Sequence, residues 1–224
     1  MDEKLITKYI SSFVWGDGAL SSINEKYNQK NSQYYFKQLA VHKDYIDFQK
    51  EILENLSSVR VDYMEGYTDK RGYKCKPQYG LFSKKLPFFT KMRERFYFEG
   101  KKQIDPHYLK LWDEQSLCFF YMDNGWIDNT EQKSGKIYTR TSLATHAYSY
   151  GDVLLIKTFL KEKFDLNFDI QRHTQKSGEY KFYLKNSKEN SMRFLDKIHK
   201  YSFPSFEYKF STERFSPYKE RVMI

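Results

Sequence analysis

The sequence predicts an α+β chain built as two tandem αββαββα halves, and three observations carry that prediction. Ile10-Ser-Ser-Phe-Val-Trp-Gly-Asp-Gly-Ala-Leu20 and Leu117-Cys-Phe-Phe-Tyr-Met-Asp-Asn-Gly-Trp-Ile127 both drive an apolar run into a glycine turn, so that Asp17 falls on Asn124, 107 positions later. The same offset lays Ile46, Phe48, Ile52 and Leu53 onto Val153, Leu155, Phe159 and Leu160. It also lays Lys102 onto Lys209, each behind an aromatic segment of helical spacing.

Taken in order, residues 4–16 read as a helix that ends in the Gly16-Asp17-Gly18 turn. Two strands are expected within 19–40, joined through the polar Asn28–Asn31 stretch, followed by an amphipathic helix over 43–56. Val59-Arg-Val-Asp-Tyr63 and Tyr73-Lys-Cys-Lys76 alternate with period two across a turn between Gly66 and Gly72. A helix over 87–98 closes the first half. The second half is expected to repeat the order: helix 112–123, strands within 125–147, helix 150–164, strands 167–174 and 179–185, helix 188–201. The boundaries are 1–107 and 108–210, with a tail over 211–224 that carries Arg214, Lys219, Glu220 and Arg221.

Composition narrows the function classes. Twenty Tyr and nineteen Phe in 224 residues suit a packed chain, not a solvated tail. Thirty-eight Lys and Arg against 29 Asp and Glu give a net charge of +9, which favours a polyanionic partner. Cys75 and Cys118 form no C-x-x-C pair and the five histidines are scattered, so the expectation is no disulfide framework and no zinc site. No run of about 18 apolar residues is present and the N-terminus is not signal-like, so no membrane partner is expected. The expectation is an intracellular protein, and the Lys, Asn, Tyr, Phe and Ile content suits an AT-rich organelle or phage genome.

Basic residues sit beside aromatics on the strands and turns: Lys70, Arg71, Lys74 and Lys76 with Tyr73 and Tyr79; Arg140; and Arg172, Lys176 and Lys181 with Tyr180 and Tyr183. An antiparallel sheet packed on helices through one face can present such residues on the other. Two such sheets side by side form a basic trough suited to a duplex groove. An ordinary solvated sheet face is the competing reading.

These residues resemble the LAGLIDADG homing endonucleases, in their single-chain, two-motif type that includes the mitochondrial omega-intron enzyme. Gly16-Asp17-Gly18 is similar to the end of the family motif, and Leu117-Cys-Phe-Phe-Tyr-Met-Asp-Asn-Gly125 to its second copy. Gly100-Lys-Lys-Gln-Ile104, Leu143-Ala-Thr-His-Ala-Tyr-Ser-Tyr and Phe203-Pro-Ser-Phe-Glu-Tyr-Lys209 resemble further family segments, in the right order over nearly the whole chain. The resemblance implies a pseudo-two-fold monomer with two saddle-shaped antiparallel sheets. Two central motif helices would lie between them, with Ser11 and Ser12 allowing close approach and Cys118 facing them. It also implies phosphodiester hydrolysis of a long double-stranded DNA site of roughly 18–24 base pairs, with Mg²⁺ held by carboxylates. By resemblance Asp17 and position 124 hold metal, Lys102 and Lys209 are the basic partners, and Gln38 positions water.

Asn124 departs from that pattern. An amide is neutral and offers one carbonyl oxygen, so it loses most of the attraction for Mg²⁺. The adjacent Asp123 is expected not to substitute, because one residue at a helix end turns the side chain by about 100°. Three readings stay open: an introduced change that traps uncut DNA, a natural enzyme that nicks or cuts poorly, or a retired endonuclease that binds structured RNA as a maturase or ribonucleoprotein subunit.

Overall fold

In the computed structural model, which describes residues 1–22, 33–69, 72–131, 134, 137–174, 178 and 180–212, the chain repeats one arrangement twice. The first half runs α1 (Glu3–Trp15), β1 (Ala19–Ser21), β2 (Tyr35–Ala40), α2 (Lys43–Glu54), β3 (Val59–Met64), the short β4 (Tyr67–Thr68) and β5 (Lys74–Cys75), β6 (Gln78–Ser83) and α3 (Pro87–Phe96). A hairpin of β7 (Tyr97–Phe98) and β8 (Lys101–Lys102), then α4 (Pro106–Leu109), leads into the second half. There α5 (Glu114–Asn124), β9 (Gly125–Glu131), β10 (Ile137–Leu143), α6 (Tyr150–Phe164), β11 (Phe168–Thr174), β12 (Tyr180–Asn186) and α7 (Lys188–Ile198) follow, and a 3-10 turn over Pro204–Lys209 ends the described fold.

The four-stranded antiparallel sheets have orders β1-β2-β6-β3 and β9-β10-β12-β11, so the four ladder strands of each half pair in the same sequence. Period two sorts their side chains. In the first sheet Phe36, Gln38 and Leu81 turn to the helices and are buried, while the alternate positions Lys37, Leu39, Arg60 and Asp62 take the open face.

The two motif helices pack against each other at the centre. Asp2 caps α1, and Asp113 caps α5 by accepting from Ser116 N–H at 3.0 Å. Lys8 Nζ reaches the same Asp113 at 2.6 Å and Tyr9 O–H donates to Gln115 at 2.7 Å, which fixes the register between the helices. Ser11, Ser12 and Cys118 are fully buried; the two hydroxyls donate to Lys8 and Tyr9 carbonyls, so they cost no unsatisfied donor. Phe13 and Phe119 lie 5.4 Å apart in the aromatic core between the halves.

Three local expectations are corrected. Tyr73–Lys76 forms only the outlying β4–β5 hairpin, and the ladder strand is β6, which begins after Pro77 has removed a backbone donor. The helix expected over 87–98 stops at Phe96, where Tyr97 and Phe98 pair with Lys102 and Lys101. The helix expected from 112 starts at Glu114, because Asp113 is its cap and a separate turn, α4, precedes it. Asn28–Asn31 and the tail candidates Arg214, Lys219, Glu220 and Arg221 lie outside the described residues.

Candidate active site and nucleic-acid surface

The two helix ends meet through glycine. After Trp15 the chain turns sharply, with Gly16 N–H donating to Ser12 and Gly18 N–H to Phe13. A Cβ at Gly18 would stand 2.7 Å from the Phe13 carbonyl, and one at Gly16 would stand 2.0 Å from Asp123 Oδ2. The Gly-Asp-Gly sequence is thus what allows the end of α5 to lie against the end of α1.

Asp123 fills the space that Gly16 leaves. Its Oδ2 accepts from the Asp17 N–H at 3.1 Å and from Tyr45 O–H at 3.3 Å, and its Oδ1 accepts from Gln38 Nε2 at 3.4 Å. Its carboxyl and that of Asp17 share a recess of about 200 Å³ with Leu39, Ala40, Val41, His42, Gln78, Met122, Phe206, Tyr208 and Lys209. Asn124 does not line this recess; its Nδ2 donates to the Trp15 carbonyl at 3.3 Å, beside the Tyr148 hydroxyl, which donates to the same oxygen. The expectation that Asp123 is turned out of reach therefore fails geometrically. The turn of about 100° around α5 is accommodated because Gly16 opposite carries no side chain and leaves the room that Asp123 fills.

Both lysines bear on these acids. Lys102 Nζ donates to the Gly16 carbonyl at 2.6 Å and Lys209 Nζ to the Met122 carbonyl at 2.5 Å. Burial lowers both ammonium groups, Lys102 to about 8, against the pull of Asp123 and Asp17. Burial raises Asp17 against the two lysines, and burial together with the Asp17 charge pushes Asp123 up to about 8. Gln38 is buried beneath the recess, with its amide engaged to Asp123 and its Oε1 accepting from Gln49 at 3.2 Å. His42, whose ring centroid lies 3.9 Å from that of Phe206 at a tilt of 37°, was not anticipated at this site; burial lowers its pKa. The repeat offset lays it on Ser149, the cap of α6, so no signal in the sequence singles it out.

The basic candidates distribute over several surfaces. Arg140 stands on the open face of the second sheet, 5.0 Å over the Tyr138 ring and opposite Asp128 in the ladder. Lys181 shares that face parity with Tyr183 and His173. Arg172, one step out of phase, falls on the helix-side parity, where its guanidinium lies 4.5 Å over the Tyr180 ring. Lys74 and Lys76 are exposed at the β5 hairpin, while Lys70, Arg71 and Lys176 lie outside the described residues.

Comparisons with known proteins agree with this architecture. The structure superposes on the homing endonuclease I-WcaI bound to its DNA recognition sequence with a TM-score of 0.75 at 19% identity, covering 95% of this chain and 88% of that one. It superposes on I-DmoI in complex with DNA and Mn (TM-score 0.52, 15% identity, 88% and 97% covered) and on the meganuclease I-SmaMI bound to uncleavable DNA (0.53, 13%, 92% and 87%). At these identities the likeness shows a shared fold. Residues 13–194 match the model of the LAGLIDADG DNA endonuclease family, and the chain belongs to that family.

Proposed function

We propose that the protein binds a long double-stranded DNA site across its two open sheet faces and, with a divalent cation such as Mg²⁺, hydrolyses one strand at the Asp17 recess. The observation that carries this reading is the asymmetry of the helix ends: two carboxyls converge on one recess, while Asn124 spends its amide on the Trp15 carbonyl. The family assignment and the DNA-bound state of the structural relatives support the substrate class.

The donor set suits the cation. Asp17 and Asp123 offer hard oxygens, and Mg²⁺ is commonly held by one or two carboxylates with substrate phosphate oxygens completing its shell. Such an ion supplies charge stabilisation at the phosphate and a bound water of lowered pKa. The chain supplies the rest. Tyr45 and Gln38 orient Asp123, and Lys209 and Lys102 set positive charge where negative charge develops. A single chain carries both halves, so the protein acts as a monomer.

The test is supercoiled plasmid carrying the gene's own flanking sequence, or its joined, uninterrupted form, with Mg²⁺. The native chain should yield open circles and the Asn124→Asp variant linear product. If neither chain binds or cuts, the DNA reading fails and structured RNA becomes the partner to seek.

A further inference from the structure

Shifted by 107 positions, the recess wall Leu39–His42 becomes His146–Ser149, and Phe206, Tyr208 and Lys209 become Glu99, Lys101 and Lys102. All of these line a second cavity, on the other side of the helix pair, between the β7–β8 hairpin, the entry to α6 and the start of β12. The repeat thus makes two recesses, but the second measures about 770 Å³ against about 200 Å³ for the first. That size lies in the range of about 300–1,000 Å³ typical of clefts that hold a ligand.

Its chemistry has also changed. Phe98, Tyr150 and Tyr180 are 66%, 53% and 53% exposed around it, each far more open than an aromatic ring in a core. Lys101, Lys102 and Lys181 stand among them. Of its two carboxylates, Asp152 is occupied in holding Ser149 and the Ile104 N–H at 2.8 Å, which leaves Glu99. A ligand matching this lining presents a flat π face and a negative charge together. In a duplex the base faces are stacked away, so of the nucleotides in a DNA strand it is the unpaired ones that offer both.

We infer that this cleft is a binding site for an unpaired nucleotide of a DNA strand, the base lying against Phe98 and Tyr150 and the phosphate facing Lys101 and Lys181. Placing it on the strand that is not hydrolysed rests on the nicking reading; the nucleotide site itself does not.

The probe is fluorescein-labelled hexathymidylate, titrated by anisotropy at fixed low salt. The Phe98→Ala/Tyr150→Ala double variant should bind about 10- to 100-fold more weakly than the native chain. Lys101→Glu should weaken binding with the aromatics intact, and Tyr63→Ala, an equally exposed ring at the edge of the first sheet, should not. Because the altered side chains are exposed, circular dichroism should show native folding in every variant. Unchanged affinity in the double variant, or an equal loss in Tyr63→Ala, overturns the site. Competition by thymidine monophosphate at concentrations matching unlabelled hexathymidylate also overturns it, in favour of a free-nucleotide pocket. Plasmid nicking is scored separately. If hexathymidylate behaves as expected while the native chain never nicks, the cleft stands and the hydrolysis reading falls; the reverse result removes the cleft alone.

Discussion

The two recesses are made from the same seven aligned wall positions, yet one is tight and acidic and the other wide, aromatic and basic. The difference arises from few residues. Where the first half has Val41, the second has Tyr148, whose hydroxyl caps the Trp15 carbonyl together with Asn124. Where α5 places Asp123 in its last turn, the aligned position just past the end of α1 is Gly16, so one side donates a carboxyl and the other donates space. A duplicated fold can thus keep its backbone symmetry while its chemistry becomes one-sided.

The largest expected effect comes from removing the charge at the acidic recess. Asp17→Asn should lower plasmid nicking by roughly 100- to 1,000-fold, read as open circle formed per minute, because the transition-state charge loses a cation ligand. Nicking that survives at the native rate would show that the recess is not the reacting centre.

Next in size is Gly16→Ala, since its Cβ would overlap Asp123 Oδ2 at 2.0 Å. The variant should unfold about 1–3 kcal/mol more easily in urea and lose nicking with it. Placed in an Asp123→Gly background, the same change should cost little stability, which makes the coupling between these two positions directly measurable.

Asn124→Asp tests the comparison from the other side. It should convert open circles to linear plasmid. It should also lower stability by about 1–2 kcal/mol, because a carboxylate oxygen then faces the Trp15 carbonyl where an N–H donated. For a chain of this size that is a fall of a few degrees in Tm.

The smallest effect concerns the contact that aligns the helices. Burial pushes Asp113 up, but hydrogen bonds from Lys8 and the Ser116 N–H hold its carboxyl below the ordinary 3.8. An acid with a lowered folded pKa stabilises the fold above its unfolded pKa and loses that contribution as pH falls through the folded value. Lys8→Met should therefore cost at most about 1 kcal/mol at pH 7, given the half-exposed carboxylate. The native and variant stabilities should converge as the pH is lowered from 4 toward 2 in urea titrations.

Much of this architecture is legible in the sequence because burial leaves a period. The motif helices and the helices α2 and α6 share one offset in their apolar positions, and Lys102 and Lys209 keep it as well. β6 is obscured because Pro77 and Gly80 read as breakers, although Pro77 precedes the strand and Gly80 sits where Leu39 and Asp62 flank it in the ladder. The sidedness of Arg172 is available from strand parity, since it shares phase with the buried Phe168. The role of space opposite Gly16 is not available: it depends on how close two helices lie, and no spacing within either helix encodes that distance.

One further feature governs when the molecule becomes complete. Residues 204–209, at the end of the described chain, fold back across the first half: Ser205 Oγ donates to Asp44 at 2.6 Å and Phe206 packs 5.4 Å from Tyr45. The final turn also brings Lys209 to the Met122 carbonyl beside the acids. During synthesis, the first half emerges with Asp17 and Lys102, while Asp123 and Lys209 follow only with the second half. The recess is complete only once residues 206–209 have joined it, so a fragment ending before that turn carries the strands of both sheets without the complete site.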